Sequence, residues 1–284
     1  MASATLGPQM EPLPSAPPVV AVVVASDPGD WLEQTLAALG AQDYPNFSVL
    51  VVDAGTGGDL KARVGTVIPD AYVRRLEAVG FAQAANEALV AVEGASFFLF
   101  CHDDAAPDPD AVRLLVEEAM RSNAGIVGPK LVQWERPERL ADVGLAVDRV
   151  GVAHPLVERG ELDQEQHDGV RDVFAVPGAC TLVRSDLFTS LRGFDVVMAD
   201  HGSDVDLCWR AQALGARVMV APAARVRHLE AERRRASDGG DETVLSARNR
   251  LRSLLKNYGP FHLVRVLPLA LTYLVPATAE DMRP

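Results

Sequence analysis

FFLFCHDDAAPDPDAV, residues 97–112, is the stretch on which the reading of this chain turns. Four strongly apolar residues and Cys101 run directly into His102, Asp103 and Asp104. A short apolar run bounded by a turn has the pattern of a strand buried on both faces. A Pro-containing turn follows, and a helix is expected from about residue 110, with Asp108 and Asp110 as its caps. The strand therefore ends on three ionisable groups in succession. Carboxylates crowded at one place repel, so the pattern calls for a compensating cation or ligand donor.

Two upstream runs repeat the design. VVAVVVAS, 19–26, is continuous, apolar and β-branched, and it stops at Asp27-Pro28-Gly29-Asp30. Trp31, Leu32, Thr35, Leu36 and Leu39 then mark one face of a helix. FSVLVVDAGTGGD, 47–59, gives a second buried strand ending on Asp53 and a Gly-rich loop, and a helix is expected over 81–92 before the strand at 96–101. Strands alternating with helices predict a parallel α/β sheet, and such sheets bind ligands beyond the carboxyl ends of their strands. Here those ends are Ala25-Ser26-Asp27, Asp53 and His102-Asp103-Asp104. The first turn is not GxGxxG and the chain has no GxxxxGK[ST], which removes the two Gly-loop modes of holding a nucleotide. Acids at strand ends suit another mode, with Asp53 accepting from a base N–H while His102 and Asp104 hold Mg²⁺ or Mn²⁺ on a diphosphate.

The second half is less regular. Residues 133–172 read as polar loop; VFAVPGACTLVRSDLF, 173–188, reads as strand, turn, strand and helix start. A helix over 203–214 stops at Gly215, and the strand ARVMVAP follows. Gly178 sits where a backbone without a side chain lets a ligand approach closely. Trp134 is a candidate ring for stacking a ligand, whereas Trp209, on a helix, reads as core.

Composition sets the limits. The chain has 284 residues, 48% hydrophobic and 23% charged, which suits a folded chain with a substantial core. Its net charge of −12 argues against nucleic-acid binding, which needs a basic face to neutralise phosphates. Three scattered cysteines without CxxC spacing read as small core residues in a reducing compartment. No secretory signal pattern opens the sequence, and residues 1–18, with five prolines, read as a disordered leader.

Taken in order, these segments resemble a family 2 glycosyltransferase of GT-A fold, over about residues 19–230. VVAVVVAS, WLEQTLAALGAQDYP and FSVLVVDAGTGGD match the family's first nucleotide-binding unit; GFAQAANEAL, 80–89, matches its next helical motif; FLFCHDDAAPDPDAV matches the metal-binding DxD stretch. VPGACTLVRSDLF, GFD and SDVDLCWRAQALGARVMVAPAARVRH match the acceptor-side and catalytic segments. The resemblance implies a Rossmann-like α/β fold, with a mixed, mostly parallel central sheet flanked by helices. It divides the chain into a nucleotide-sugar-binding half, 19–125, and an acceptor and catalytic half, 126–230, followed by a helical tail, 231–284.

Carried over residue by residue, the resemblance implies nucleotide contacts at Ala25, Ser26, Asp27, Asp53, Asn86 and Asp103. It implies metal ligation by His102, Asp104 and His228, acceptor contacts at Gly178, Asp200 and His201, and a catalytic base at Asp204. His102 departs from the family's first DxD acid; a neutral imidazole ligates Mn²⁺ well and Mg²⁺ less so. Ser203 and Ala85 depart from an acid and an arginine common in the family. The activity implied is metal-dependent, inverting transfer from a nucleotide-diphospho-sugar, with UDP the leading nucleotide, to a glycan or lipid-linked acceptor in cell-envelope synthesis. A catalytically silent nucleotide-sugar-binding module and a nucleotidyltransferase are the competing readings.

The tail differs in character. VLSARNRLRSLLKNYG, 244–259, puts Leu251, Leu254 and Leu255 on one helical face with basic residues elsewhere. That pattern suits equally a helix lying on an anionic membrane, over residues 240–275, and one docked on the catalytic core. FHLVRVLPLALTYLV is too short, and interrupted by Arg265 and Pro268, to span a bilayer. The expected location is the cytoplasm, at the inner face of the membrane.

Overall fold

A computed structural model describes residues 16–198, 201–231 and 241–272, the side chains of 241–244 excepted. The first half lays down β1 (Val19–Ala25), α1 (Leu32–Gly40), β2 (Phe47–Asp53), α2 (Leu60–Val67), β3 (Tyr72–Arg75), α3 (Phe81–Ala85), α4 (Ala88–Ala91) and β4 (Phe97–His102). β1 pairs in parallel with β2 and β4, and β2 with β3. The continuous apolar runs follow from this arrangement. Val19, Ala21 and Val23 of β1 enter the core on one side of the sheet, while Val22 and Val24 enter the core on the other. A strand covered on both faces has no solvent side to place polar residues on.

The second half adds β5 (Ala105–Pro107), α5 (Ala111–Ser122), β6 (Ile126–Gln133), β7 (Leu140–Asp142), β8 (Leu145–Val147), β9 (Ala153–Pro155), β10 (Arg171–Asp172), β11 (Cys180–Arg184), α6 (Ser185–Ser190), α7 (Ser203–Ala213) and β12 (Val218–His228). The sheet order is β10-β12-β6-β11-β4-β1-β2-β3, with β5 joined to β12 and β7 to β6. β11 runs antiparallel to both β4 and β6, and β6 is parallel to β12. The consequence positions the site: the C-terminal ends of β1, β2, β4 and β12 and the N-terminal end of β11 share one edge.

Several local expectations give way to tertiary contacts. The single helix expected over 81–92 is two short helices that break at Asn86 and Glu87. Residues 173–176 form no strand; only Ala175 makes an isolated bridge, to Leu145. The stretch 133–172 contains β7 to β10 rather than loop alone. Asp110 occupies the N-cap position of α5 without a side-chain cap, and Gln42 supplies the missing acceptor, 3.0 Å from the Val112 N–H. Residues 16–18 are not free: the carbonyls of Ala16 and Pro17 accept from the Asn46 amide and the Tyr44 hydroxyl, at 2.8 Å each. Cys101, Cys180 and Cys208 are free and buried, as core residues should be. Trp134 is buried too, beside Ala106 and Leu229, with Arg227 over its ring, so it is closed to a sugar.

The tail forms α8 (Asp241–Asn257) and α9 (Pro260–Thr272), and of its two expected placements α8 takes the docked one. Leu254 is fully buried in a cluster with Val150, Trp209, Val266 and Ala270, worth about 2–3 kcal/mol for that one side chain. Leu251 is partly buried against the cluster and Leu255 is exposed, so the apolar face is narrower than the sequence pattern. Two of its cations are engaged by acids of the core: Arg252 and Lys256 both reach Asp195, and Lys256 also reaches Asp206 at 2.7 Å. Among the described residues no helix is long and apolar enough to cross a membrane.

Candidate active site

His102 closes β4, and the Asp103-Asp104 turn leads straight into β5. β5 pairs antiparallel with the end of β12, so Ala105 lies opposite His228. This pairing brings the last residue of β12 onto Asp104: His228 Nε2 is 3.3 Å from Asp104 Oδ1, and His102 Nδ1 is 4.0 Å from the same oxygen. One ligand atom from each of the three residues lies within 4.8 Å of the others, a set able to hold a divalent metal ion. The Ala231 N–H donates to Asp104 Oδ2 at 2.7 Å and fixes the carboxylate. Burial pushes the Asp104 carboxyl up, yet the bond from His228, the imidazole charges and the Ala231 N–H outweigh it and hold the group well below the usual carboxylate range.

The neighbouring acid behaves oppositely. Asp103 accepts from the Trp31 indole at 3.3 Å and the Ser26 N–H at 3.4 Å. Burial, reinforced by the charge of Asp104, pushes its carboxyl up to about 6. Ser26, Trp31, Gly80, Phe81 and the His102–Asp104 turn line one cleft. The sequence pattern marks Trp31 as a helix-face residue and gives Phe81 no site role, yet both line the cleft. The signal for Trp31 was its position, one loop beyond the end of β1.

The start of α7 comes near His102 through Gly178. Asp204 Oδ2 accepts the Gly178 N–H at 3.0 Å. A β-carbon placed on Gly178 would lie 3.7 Å from Asp204 Oδ2 and 3.7 Å from His102 Nε2, so His102 and Asp204 both lie beside this glycine. Gly178 arrives here because β11 runs opposite to β4 and starts where β4 ends. A further acid, Asp142 at the end of β7, stands close enough for Asp204 to act on it. Burial first, and then the Asp204 charge, push its carboxyl up to about 7 against the Gly144 N–H at 2.7 Å. Nothing in its sequence context singled Asp142 out.

The other expected positions are distributed less closely. Ala25 is fully buried and its carbonyl accepts the Ala54 N–H at 2.8 Å. Asp27 is exposed and ties the β1 loop to the β2 loop through the Thr56 N–H and hydroxyl, at 3.0 and 3.1 Å. Asp53 is buried at the end of β2 and paired with Arg75 at 3.1 Å. Asn86 is not at the cleft: its amide donates to the Phe194 carbonyl at 3.0 Å and accepts the Phe194 N–H at 2.8 Å, which interrupts the helix and pins the 193–195 turn. His201 lies by α7 and α8, its carbonyl accepting from Asn249 at 2.8 Å, and Asp200 lies outside the described residues. Asp206 is fully buried and held by Arg210 and Lys256 at 2.7 Å each, a structural charge.

A family model described as glycosyltransferase-like family 2 matches residues 17–253, reaching into α8. Over 234 residues the chain is 31% identical to the O-antigen biosynthesis protein RfbC of Myxococcus xanthus, covering 79% of this chain and 18% of that protein. Over 184 residues it is 28% identical to a pre-mycofactocin glycosyltransferase of Mycobacterium tuberculosis (strain ATCC 25618 / H37Rv), covering 63% of this chain and 37% of that protein. The chain thus spans well under half the length of these relatives. Among solved structures, GalNAc-T7 with UDP, GalNAc and Mn²⁺ superposes with a TM-score of 0.61 at 13% identity, over 75% of this chain and 43% of that one. That likeness establishes the GT-A-type fold.

Proposed function

The chain belongs to glycosyltransferase-like family 2, and from that premise we propose that it transfers a sugar from a nucleotide-diphospho-sugar to an acceptor hydroxyl with inversion at the anomeric carbon. The observation that carries this reading is that Asp204 and His102, a member of the cluster able to hold a metal ion, both lie beside Gly178. Donor activation and acceptor deprotonation need groups within reach of one reacting carbon.

The cluster fits a divalent cation chemically: two imidazole nitrogens and one carboxylate, with His102 and Asp104 on the cleft wall. Such mixed N/O sets suit Mn²⁺ better than Mg²⁺, which supports Mn²⁺ as the physiological ion. A cation held there offsets the charge of the departing diphosphate as a Lewis acid. Around it, the chain's own groups bind and orient. Asp103, fixed by Trp31 and Ser26, faces the ribose side, and Asp53 with Arg75 stands at the next strand end for the base. Asp204 takes the acceptor proton. The Gly178 N–H fixes one of its oxygens and the Val205 N–H, at 2.8 Å, the other, so the carboxylate is oriented before the acceptor arrives. One base suffices for an inverting displacement.

UDP is the proposed nucleotide, and a glycan or lipid-linked acceptor in cell-envelope synthesis is supported by the O-antigen relative. The test is a calorimetric screen of UDP-, GDP- and dTDP-sugars with and without Mn²⁺, followed by NMR of the product anomer. Binding of one donor with Mn²⁺ and an inverted product are expected; retention of configuration removes the single-base mechanism.

A further inference from the structure

A second cavity, of about 320 Å³, lies between the loop joining β8 to β9, the start of α7 and one face of α8. Gly202 and Val205, which bracket Asp204, form one wall; Ser246, Arg250 and Ser253 of α8 form another. Gly151, at φ +81°, closes on the Arg250 stem, where a β-carbon would lie 3.0 Å from Arg250 Cγ. The side chain is therefore held in place by packing before any ligand is present.

The four described cations of α8 that could serve the core divide sharply. Arg248 donates to the Val197 carbonyl, Arg252 pairs with Asp195, and Lys256 bridges Asp195 and Asp206. Arg250 makes no hydrogen bond or ion pair with any described residue, and its Nε is buried without an acceptor. A buried guanidinium N–H left unpaired is unfavourable, and a bound acceptor group would satisfy it. Among the described residues that line this cavity none is acidic, whereas His201, Ser246, Ser253 and Arg250 all offer donors. Asn249 is excluded as a donor here, since its amide is engaged by the Met198 and His201 carbonyls at 2.8 Å each.

We propose that this cavity binds an oxyanion, phosphate or carboxylate, carried by the acceptor, with Arg250 as its principal contact, so that the acceptor's hydroxyl is presented to Asp204 at the adjoining wall. The word acceptor rests on the glycosyltransferase reading; the oxyanion site rests on the cavity alone. Arg suits the role because its planar fork meets two oxygens of phosphate or carboxylate at once.

The experiment titrates the metal-free full chain, in EDTA, with inorganic phosphate and separately with a methyl glucuronide, following binding by NMR. Chelation keeps the His102–Asp104–His228 cluster from capturing the anion through a cation. Saturable binding of at least one probe is expected, weakened at least about tenfold in Arg250→Gln and partly restored in Arg250→Lys. Ala247→Trp, which fills the cavity while leaving Arg250 in place, is expected to block the probe as well. A polyisoprenyl phosphate in neutral micelles, compared with the soluble probes, distinguishes a lipid-borne from a soluble phosphate. No saturable binding by the unsubstituted chain, or a folded Arg250→Gln protein binding as tightly, overturns the site. UDP binding with Mn²⁺ is measured alongside: its absence in the unsubstituted chain removes the glycosyltransferase reading and leaves the oxyanion result interpretable.

Discussion

Asp104 and His228 meet at 3.3 Å because a three-residue strand, β5, folds back from the end of β4 onto the end of β12. The strand that carries His102 and the strand that carries His228 are not neighbours in the sheet: β1 and β11 flank β4, while β6 and β10 flank β12. β5 therefore acts as the bridge that turns two remote strand ends into one ligand set.

If that set holds a cation, nucleotide affinity depends on it. Calorimetry of UDP should show binding with Mn²⁺ that falls at least tenfold in EDTA and in His228→Ala. Without the cation, Asp103 and Asp104 face the diphosphate with negative charge alone. Equal affinity with Mn²⁺ and with chelator removes the metal-bridged donor site.

Asp204→Asn keeps the bond to the Gly178 N–H through its amide oxygen but cannot take a proton. Turnover under saturating donor and acceptor should fall by roughly 10²–10⁴-fold, the usual worth of a positioned general base. Donor affinity should hardly change. A folded variant keeping half its activity sinks the assignment.

Asp142 gives a pH signature with a definite sign. Its folded pKa, about 7, lies above the ordinary 3.8 of an unfolded aspartate. The folded chain thus binds the extra proton between about pH 4 and 7, so stability contributed by this group is full below that window and is lost as pH rises through it. Asp142→Asn should flatten the decline and raise stability at pH 8 by at least about 1 kcal/mol. Urea midpoints measured from pH 5 to 8 check it; an unchanged slope places Asp142 in a wetter site.

The docking of α8 predicts that the tail is not dispensable. Asp206→Ala leaves Arg210 and Lys256 without their buried partner and should cost about 3–5 kcal/mol. Lys256→Met should cost about 1–3 kcal/mol, because Arg210 still neutralises Asp206. Removing residues 241–284 uncovers Trp209 and strips Asp195 of Arg252 and Lys256. Thermal melts should show that truncation lowering Tm more than either point substitution, and an unchanged Tm argues that α8 does not dock.

Asn86→Ala should act on stability rather than on nucleotide binding, since both amide atoms serve Phe194. A loss of about 1–3 kcal/mol is expected from the Phe194 backbone groups left unpaired, with UDP affinity within twofold of the unsubstituted chain.

The sequence by itself determined which strands are buried on both faces and where they stop. β1, β2 and β4 were legible because β-branched and aromatic runs have one stable use, and the His102-Asp103-Asp104 stop marked the strand end that joins the cluster able to hold a metal ion. Asp204 and His228 became candidates only through the ordered resemblance; their own surroundings look like a helix start and a strand end. What the tertiary structure decided is partnership. Local pattern fixes the face a residue occupies, but not which distant element arrives opposite it. Hence Asn86 meets Phe194 instead of the cleft, Gln42 takes the capping role expected of Asp110, and Asp142 comes within the field of Asp204. The same holds for α8: amphipathic spacing suited a membrane or a protein surface equally, and the docked placement buries Leu254 and brings Lys256 onto Asp195 and Asp206 from across the chain.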